Sequence, residues 1–316
     1  MKPFRKKIAV LAGISILLCA LFLLYNLGPG TAYALERRGY KIATMIVVAC
    51  CVAYSSVIFQ TITNNKILTP SIMGFEAVYL LFQTVIVFIY GDKTFQVLTH
   101  SNNFFISVVL MVLFALGLFA VLFRKRHRNL YLMLLMGLVL GTLFSTLSSF
   151  MQILIDPNEF LMVEGQMFAS FNRINFDLFW YAFGLMGITF IVGWRYMKYL
   201  DVLALGRENA INLGVDYNRT VRVYLVLIAV LVSVSTALVG PITFLGILVT
   251  NLTYELFRTF RHRTLILSCC LVSVIAVVGG QFVVEHLFRF NTVISIIINF
   301  IGGIYFIYLL LRTRKI

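Results

Sequence analysis

Charged side chains make up only 12% of the 316 residues, and just 12 residues are acidic. A soluble domain carries about 25% charged residues. So little charge, beside 61% hydrophobic residues and a mean hydropathy of +0.96, excludes an ordinary water-soluble enzyme. It also excludes a disordered chain, which needs low hydrophobicity. Cysteine is scarce too: Cys19, Cys50, Cys51, Cys269 and Cys270 all sit inside apolar runs, with no Cys-x-x-Cys. That pattern excludes a secreted disulfide scaffold and a thiolate metal site.

Two catalytic signatures are missing. No Gly-x-x-x-x-Gly-Lys-[Ser/Thr] is present, so the chain cannot cradle ATP phosphates in the P-loop manner, and no His-Glu-x-x-His is present to hold zinc. His100, His127, His262 and His286 are too scattered for a metal cluster. Among the acids, Glu76 alone lies well inside apolar territory, whereas a proton-driven carrier or pump uses chains of Asp, Glu and His. No catalytic residue, metal site or resident cofactor is expected, and the chain is not expected to be an enzyme.

What the sequence does have is long apolar runs. They cover 8–25, 42–63, 72–90, 104–123, 130–154, 176–200, 221–239, 242–257, 265–284 and 292–311. A bilayer core of about 30 Å takes about 20 such residues per helix. The pattern predicts an all-α polytopic membrane protein of about ten spans, forming a single transmembrane domain over 1–316. The eighth run is short and is expected to be broken or tilted. Continuous runs argue against a β-barrel, whose strands alternate over about ten residues. The first run has the basic front of a signal peptide, but Tyr25-Asn26-Leu27-Gly28-Pro29 follows it in place of a small-x-small cleavage site. It reads as a retained helix.

Basic residues set the orientation. With the N-terminus inside, 20 of the 26 Lys and Arg fall in inward segments, among them Lys7, Lys66, Lys125, Arg126, Arg128, Arg258, Arg314 and Lys315. Arg37, Arg38, Lys41, Lys93, Arg173 and Arg289 face outward. Both termini are then cytoplasmic, in a multi-pass protein of the cell membrane. The net charge of +14 is dealt out among short loops, so no nucleic-acid partner is implied.

Three features point to transport. On the fifth span Thr142, Ser145, Thr146, Ser149 and Gln152 recur every three to four residues, which lines one helix face with polar groups. A substrate pathway would use such a face; so would plain helix packing or self-satisfied hydroxyls. Ser295, Asn299 and Gly302 repeat the pattern on the tenth span, so a polar seam between these helices is expected. Breaks at Asn64-Asn65, Thr69-Pro70 and Gly240-Pro241 follow two stretches of equal length, 41–60 and 222–241, that would run in opposite directions, a hint of an inverted repeat. The longest inward polar segment, 201–219, reads as two short helices stopped by Gly206 and Gly214. Leu203, Leu205, Ile211 and Leu213 among its charges predict a docking element for a cytoplasmic partner.

These residues resemble the iron-siderophore and cobalamin permease family of bacterial ABC importers over nearly the whole chain. The lead-in Arg38-Gly39-Tyr40-Lys41, with Gln60 and then Asn64-Asn65-Lys66-Ile67-Leu68-Thr69-Pro70 and Gly74, is similar to the family's Arg-x-Pro-Arg, Gln, Arg-Asn-Pro-Leu-Ala-x-Pro and Gly. The segment 205–215 resembles Leu-Gly-x-x-x-Ala-x-x-Leu-Gly-Val. Residues 240–246 resemble Gly-Pro-Ile-x-Phe-x-Gly, and 302–310 resemble Gly-Gly-x-Phe-Phe-x-Tyr-Leu-Leu. Each motif alone is weak; their shared order and spacing is strong. Departures occur at Thr250-Asn251, where the family has Pro-His, and at Asn64-Asn65-Lys66, where it has Arg-Asn-Pro. Residues 64–76 resemble the branch handling catecholate-type siderophores such as petrobactin.

The resemblance implies the type II importer permease fold and a role in ferric-siderophore translocation. It implies four partners besides the bilayer: a second, homologous permease that differs from this chain, two ATP-binding subunits that alone hold ATP and magnesium, and an extracellular siderophore-binding lipoprotein. Leu205, Gly206, Arg207, Glu208, Ala210, Leu213 and Gly214 would dock the ATPase. Arg38 and Lys41, with Arg37 and Arg289 by location, would meet acids on the binding protein, although anchoring in lipid headgroups would also explain the first three. Thr142, Ser145, Ser149, Gln152, Ser295 and Asn299 would line the pathway. The alternatives are an ion- or proton-coupled carrier, for which Glu76 is the only candidate driving group, and the same fold carrying haem or cobalamin.

Overall fold

The computed structural model describes residues 2–25, 31–124, 130–172, 176–289 and 292–313. Residues 26–29, which bear on the signal-peptide reading, and Lys125, Arg126, Arg128, Arg173, Arg314 and Lys315 of the orientation count lie outside them. The described residues form thirteen α-helices: α1 (Lys2–Leu24), α2 (Thr31–Thr63), α3 (Phe75–Tyr90), α4 (Thr94–Val97), α5 (His100–Arg124), α6 (Leu130–Leu154), α7 (Pro157–Met167), α8 (Phe176–Leu203), α9 (Arg207–Asn212), α10 (Tyr217–Val239), α11 (Leu245–Leu256), α12 (His262–His286) and α13 (Ile294–Thr313). Each of the ten apolar runs becomes one helix: α1, α2, α3, α5, α6, α8, α10, α11, α12 and α13. Seven of these are long and apolar enough to cross a membrane, and α3 and α13 are shorter apolar helices. The eighth run is indeed cut short. α11 has 12 residues, about 18 Å of helix, because Gly240-Pro241 and the turn after it are not helical.

The core sits on α2 and α10, which pack against each other and against α8, with α12 along α2. The two α2 and α10 windows are the most buried of the seven long spans, while α1 and α6 lie at the periphery with rows of exposed Leu, Ile and Val. Burial of apolar surface cannot separate these positions by sequence, since lipid is as apolar as the core.

Contacts at the helix ends sort the chain into two faces. At one, Lys7 donates to the Leu256 carbonyl (3.0 Å), Lys66 lies over the Tyr254 ring (5.0 Å) and Thr61 meets His262 (2.9 Å). This face therefore holds the start of α1 and α12 and the end of α2, α8 and α11. At the other, Lys41 meets Asn172 and Glu285, joining the start of α2 to the end of α12. Ser295 at the start of α13 reaches the Ala169 carbonyl there, so α13 runs back toward the first face. That first face carries Lys7, Lys66, Arg258, Arg261 and Arg263 and is the cytoplasmic one by the distribution of basic residues.

Two glycines set close approaches. Gly74 (φ +83) opens α3, and a Cβ there would lie 2.9 Å from the Gly137 carbonyl oxygen and 3.0 Å from Gly141 Cα. The Gly137-x-x-x-Gly141 spacing on α6 leaves one flat strip where the backbone before α3 presses in, as small residues do between membrane helices. Gly240 (φ +97) likewise rests on the backbone of Phe168 and Ala169.

Two helices went unread in the sequence, the one-turn α4 and the longer α7. α7 starts at Pro157 behind Asp156, whose carboxylate accepts from the Asn158 N–H (2.8 Å), and it packs along α3. A capping Asp followed by Pro at the first helical position is a start signal. Treating 155–175 as a connection between spans hid it.

Candidate functional site

The connector between α8 and α10 is a built structure. α8 continues through Leu203, Gly206 turns the chain at φ +91, and α9 follows as a single short helix. The expectation of two short helices is therefore corrected to one: residues 201–203 are the end of α8, 204–206 form the turn, and only α9 is a separate short helix. Gly214 (φ +81) ends α9, and Asp216 caps α10 by accepting from the Arg219 N–H (3.1 Å). Ala210 is fully buried and its carbonyl accepts from Val215 N–H (3.1 Å), so the segment is anchored against the subunit by a small residue. Leu205, Ile211 and Leu213 are 56%, 48% and 62% exposed, with Arg207 and Glu208 beside them. These leucines and Ile211 form an ordered apolar rim that nothing in the subunit covers among the described residues.

The four bases expected to meet the binding protein divide into two pairs. The Arg38 guanidinium donates to the carbonyls of Leu23 (3.2 Å) and Tyr25 (2.6 Å), capping the end of α1. Lys41 pairs with Glu285 and Asn172, with only 16% and 10% of the Lys41 and Glu285 side chains exposed. Arg38 and Lys41 thus spend donors inside the subunit, holding α1, α2 and α12 together, and neither is presented as a free docking charge. Arg37, over the Tyr33 ring at 5.0 Å, and Arg289 remain exposed. Lys41→Met should leave Glu285 with a poorly paired carboxylate and lower stability by about 3 kcal/mol, whereas Lys41→Met with Glu285→Met should recover most of it. Thermal unfolding in detergent measures both.

The polar row on α6 is real and faces outward from the subunit. Thr142, Ser145, Thr146 and Ser149 are exposed. Thr142, Thr146 and Ser149 donate to carbonyls four residues back, at 2.9 Å each. Gln152 instead turns inward to Ser148 (3.0 Å) and Thr84 (3.2 Å). The expected seam between the fifth and tenth spans is not formed within one subunit: α6 packs on α3 and α5, α13 on α11 and α12. Ser295 is fully buried against Ala169, which removes it from any exposed lining. Asn299 is half-buried with its Oδ1 lacking a partner among the described residues.

The two helix breaks meet in the interior. Thr243, just after Gly240-Pro241, donates to Glu76 Oε2 (2.7 Å) in the first turn of α3. Glu76 thus sits at a helix N-terminus, where a carboxylate is stabilised. A cavity of about 30 Å³ beside it is lined by Ser55, Ser56, Thr69, Ser71, Ser235 and Thr236. That volume suits about one water. Lower down, Gln60 donates to Thr250 (2.9 Å) and Asn251 to the Lys66 carbonyl (3.1 Å). The departures Thr250-Asn251 and Lys66 from the family motifs are therefore in contact with one another's segments, a pairing no single motif reveals. A cavity of about 530 Å³ opens to the cytoplasmic side below them, and one of about 390 Å³ lies among α3, α5, α7 and α10 near Tyr79, Gln83, Asn103 and Gln166.

Comparison with known proteins agrees with this geometry. Residues 8–312 match the FecCD transport family. The chain is 54% identical over 311 residues to the petrobactin import system permease protein YclO of Bacillus subtilis (strain 168), covering 98% of each. It is 37% identical to the petrobactin import system permease protein FatC of Bacillus anthracis, over 91% of this chain and 81% of that one, and 26% identical to FatD of the same organism. A solved structure described as an inward-facing conformation of a metal-chelate type ABC transporter superposes with a TM-score of 0.82 at 22% identity, covering 97% of this chain and 99% of the other.

Proposed function

The chain belongs to the FecCD transport family, and from that premise we propose that it is the membrane-spanning permease subunit of an ABC importer that carries a ferric siderophore of the petrobactin type into the cytoplasm. The observation that carries this reading is the 54% identity to a petrobactin permease over 98% of both chains. The protein resides in the cell membrane as a multi-pass subunit. The cargo class comes from the relatives' names. The exposed rim of Leu205, Ile211 and Leu213 supports an external motor, because a subunit with its own driving site needs no such surface.

A second permease pairs with this one, as the coexistence of FatC and FatD in one organism supports. The exposed polar face of α6 would then line the space between the two. Two cytoplasmic ATP-binding subunits grip the α9 segment, and a siderophore-binding lipoprotein docks outside near Arg37 and Arg289. In this scheme ATP and magnesium stay with the motor subunits, and the chain does no covalent chemistry. Movement of α9 shifts the cytoplasmic ends of α8 and α10, and we take the contacts of Gln60 with Thr250 and of Asn251 with the Lys66 carbonyl, beside the cavity of about 530 Å³, as the inner closure that this movement opens and shuts.

Reconstitution tests it. In proteoliposomes the chain alone is expected to hydrolyse no ATP above background and to import no radiolabelled ferric petrobactin. With a second permease, the ATP-binding subunits and the binding protein, import is expected to depend on ATP. Uptake by the chain alone contradicts the proposal.

A further inference from the structure

His262 stands at a junction that the transport scheme above does not use. It is the first residue of α12, and three elements converge on it at the cytoplasmic face. Its backbone N–H donates to Asp201 Oδ1 (2.8 Å), and its ring Nδ1 lies 2.7 Å from the same oxygen. Its Nε2 lies 2.9 Å from the Thr61 hydroxyl at the end of α2. The Thr61 hydroxyl, with one proton to give, also lies 2.8 Å from the Val57 carbonyl. The His262 and Thr61 side chains are buried, while Asp201 is half exposed on the last turn of α8, five residues before Gly206.

We propose that Asp201, His262 and Thr61 are positioning residues that carry movement of the α9 segment to the inner closure of the pathway. The inference rests on the permease reading and adds to it the route by which force passes. A carboxylate only accepts hydrogen bonds, so Nδ1 carries a proton toward Asp201, Nε2 accepts from the Thr61 hydroxyl, and the rigid imidazole ring spans from α8 to α2. An apolar contact can slide without large cost. A hydrogen bond of 2.7–2.9 Å is lost when its partners part by well under about 1 Å. Displacing the end of α8 must therefore drag α12 and α2 or break the chain of bonds. Thr61 is next to Gln60, whose amide holds Thr250 of α11, so the relay ends on the closure itself. The cavity of about 530 Å³ lined by Gln60, Thr61, His262 and Leu265 leaves room for that movement.

The test has two arms. In the purified chain, melting temperatures of Asp201→Asn, His262→Gln and the double variant form a cycle; the double variant is expected to lose clearly less than the sum of the singles, and additive losses overturn the contact. In the reconstituted complex the readout is ATP hydrolysed per chelate imported. His262→Gln, Asp201→Asn and Thr61→Val are each expected to raise that ratio about fivefold, with Thr61→Ser close to wild type. A merely structural role would lower complex yield, hydrolysis and import together and leave the ratio unchanged, which overturns the proposal. If the wild-type complex fails to import, the permease reading falls and takes the relay's role with it. Variants that fail beside a working wild type bear on the relay alone.

Discussion

Leu213→Asp is expected to abolish co-purification of the ATP-binding subunits and all ATP-driven uptake, while leaving the permease itself folded and inserted. Leu213 is 62% exposed at the end of α9, so the subunit loses no packing when it is replaced. In the assembly the same side chain would be buried with Leu205 and Ile211, and an aspartate there is a charge taken out of water with no partner. Leaving one charge unpaired in a buried contact costs about 3–5 kcal/mol. That corresponds to roughly a hundredfold to a thousandfold or more in affinity. Leu213→Met keeps the volume and the apolar character and is expected to cost less than about 1.5 kcal/mol. Pull-down of the motor subunits with unaltered melting of the isolated permease is the measurement. Normal assembly of the aspartate variant would refute the docking role of the segment.

Gly74→Val is the second large effect, and it acts on the fold. The residue combines a positive φ with a backbone contact on both sides of the missing side chain, since a Cβ would press on Gly137 O and Gly141 Cα at 2.9 and 3.0 Å. The left-handed conformation costs an L residue about 1–2 kcal/mol. Overpacking adds about 1–3 kcal/mol, more where the obstacle is backbone and cannot rotate away. A summed loss of about 2–5 kcal/mol should move α3 off α6, disturb Glu76 in the next turn and leave little monodisperse protein on size-exclusion chromatography. Gly117→Ala supplies the contrast. No atom lies within 4 Å of a Cβ there, and the residue is inside α5, where alanine favours the helix by about 1 kcal/mol. Equal behaviour of the two variants would refute the crossing as the reason for Gly74.

These two positions show which parts of the molecule could be read from the chain. The ten apolar runs translated directly into helices, because their lengths answer to bilayer thickness alone. The connector was legible as well, through Gly206 and Gly214 and through leucines placed where water would be. The broken eighth span was legible in Gly240-Pro241. What stayed hidden depends on partners distant along the chain. Lys41 looks like an outward base until Glu285, 244 residues away, is brought beside it. Arg38 looks the same until the carbonyls at the end of α1 take its donors. The pairing of α6 with α3, and not with α13, could not be read because apolar patterning no longer marks the inner face of a helix that has lipid on its outer side. Thr61, His262 and Asp201 carry no motif at all, and only their meeting at three helix ends sets them apart.

The account stands on α9 facing the cytoplasm, where a motor can reach it. The direct measurement is labelling of Asn212→Cys with a membrane-impermeant thiol reagent, in a chain whose five native cysteines are replaced by alanine. Asn212 is exposed at the end of α9, so the thiol is open to whichever compartment the segment faces. No labelling of intact cells, with full labelling of inside-out vesicles, is the predicted result. Labelling of intact cells from outside would reverse the topology and contradict the assignment of the segment, the motor and the direction of transport together.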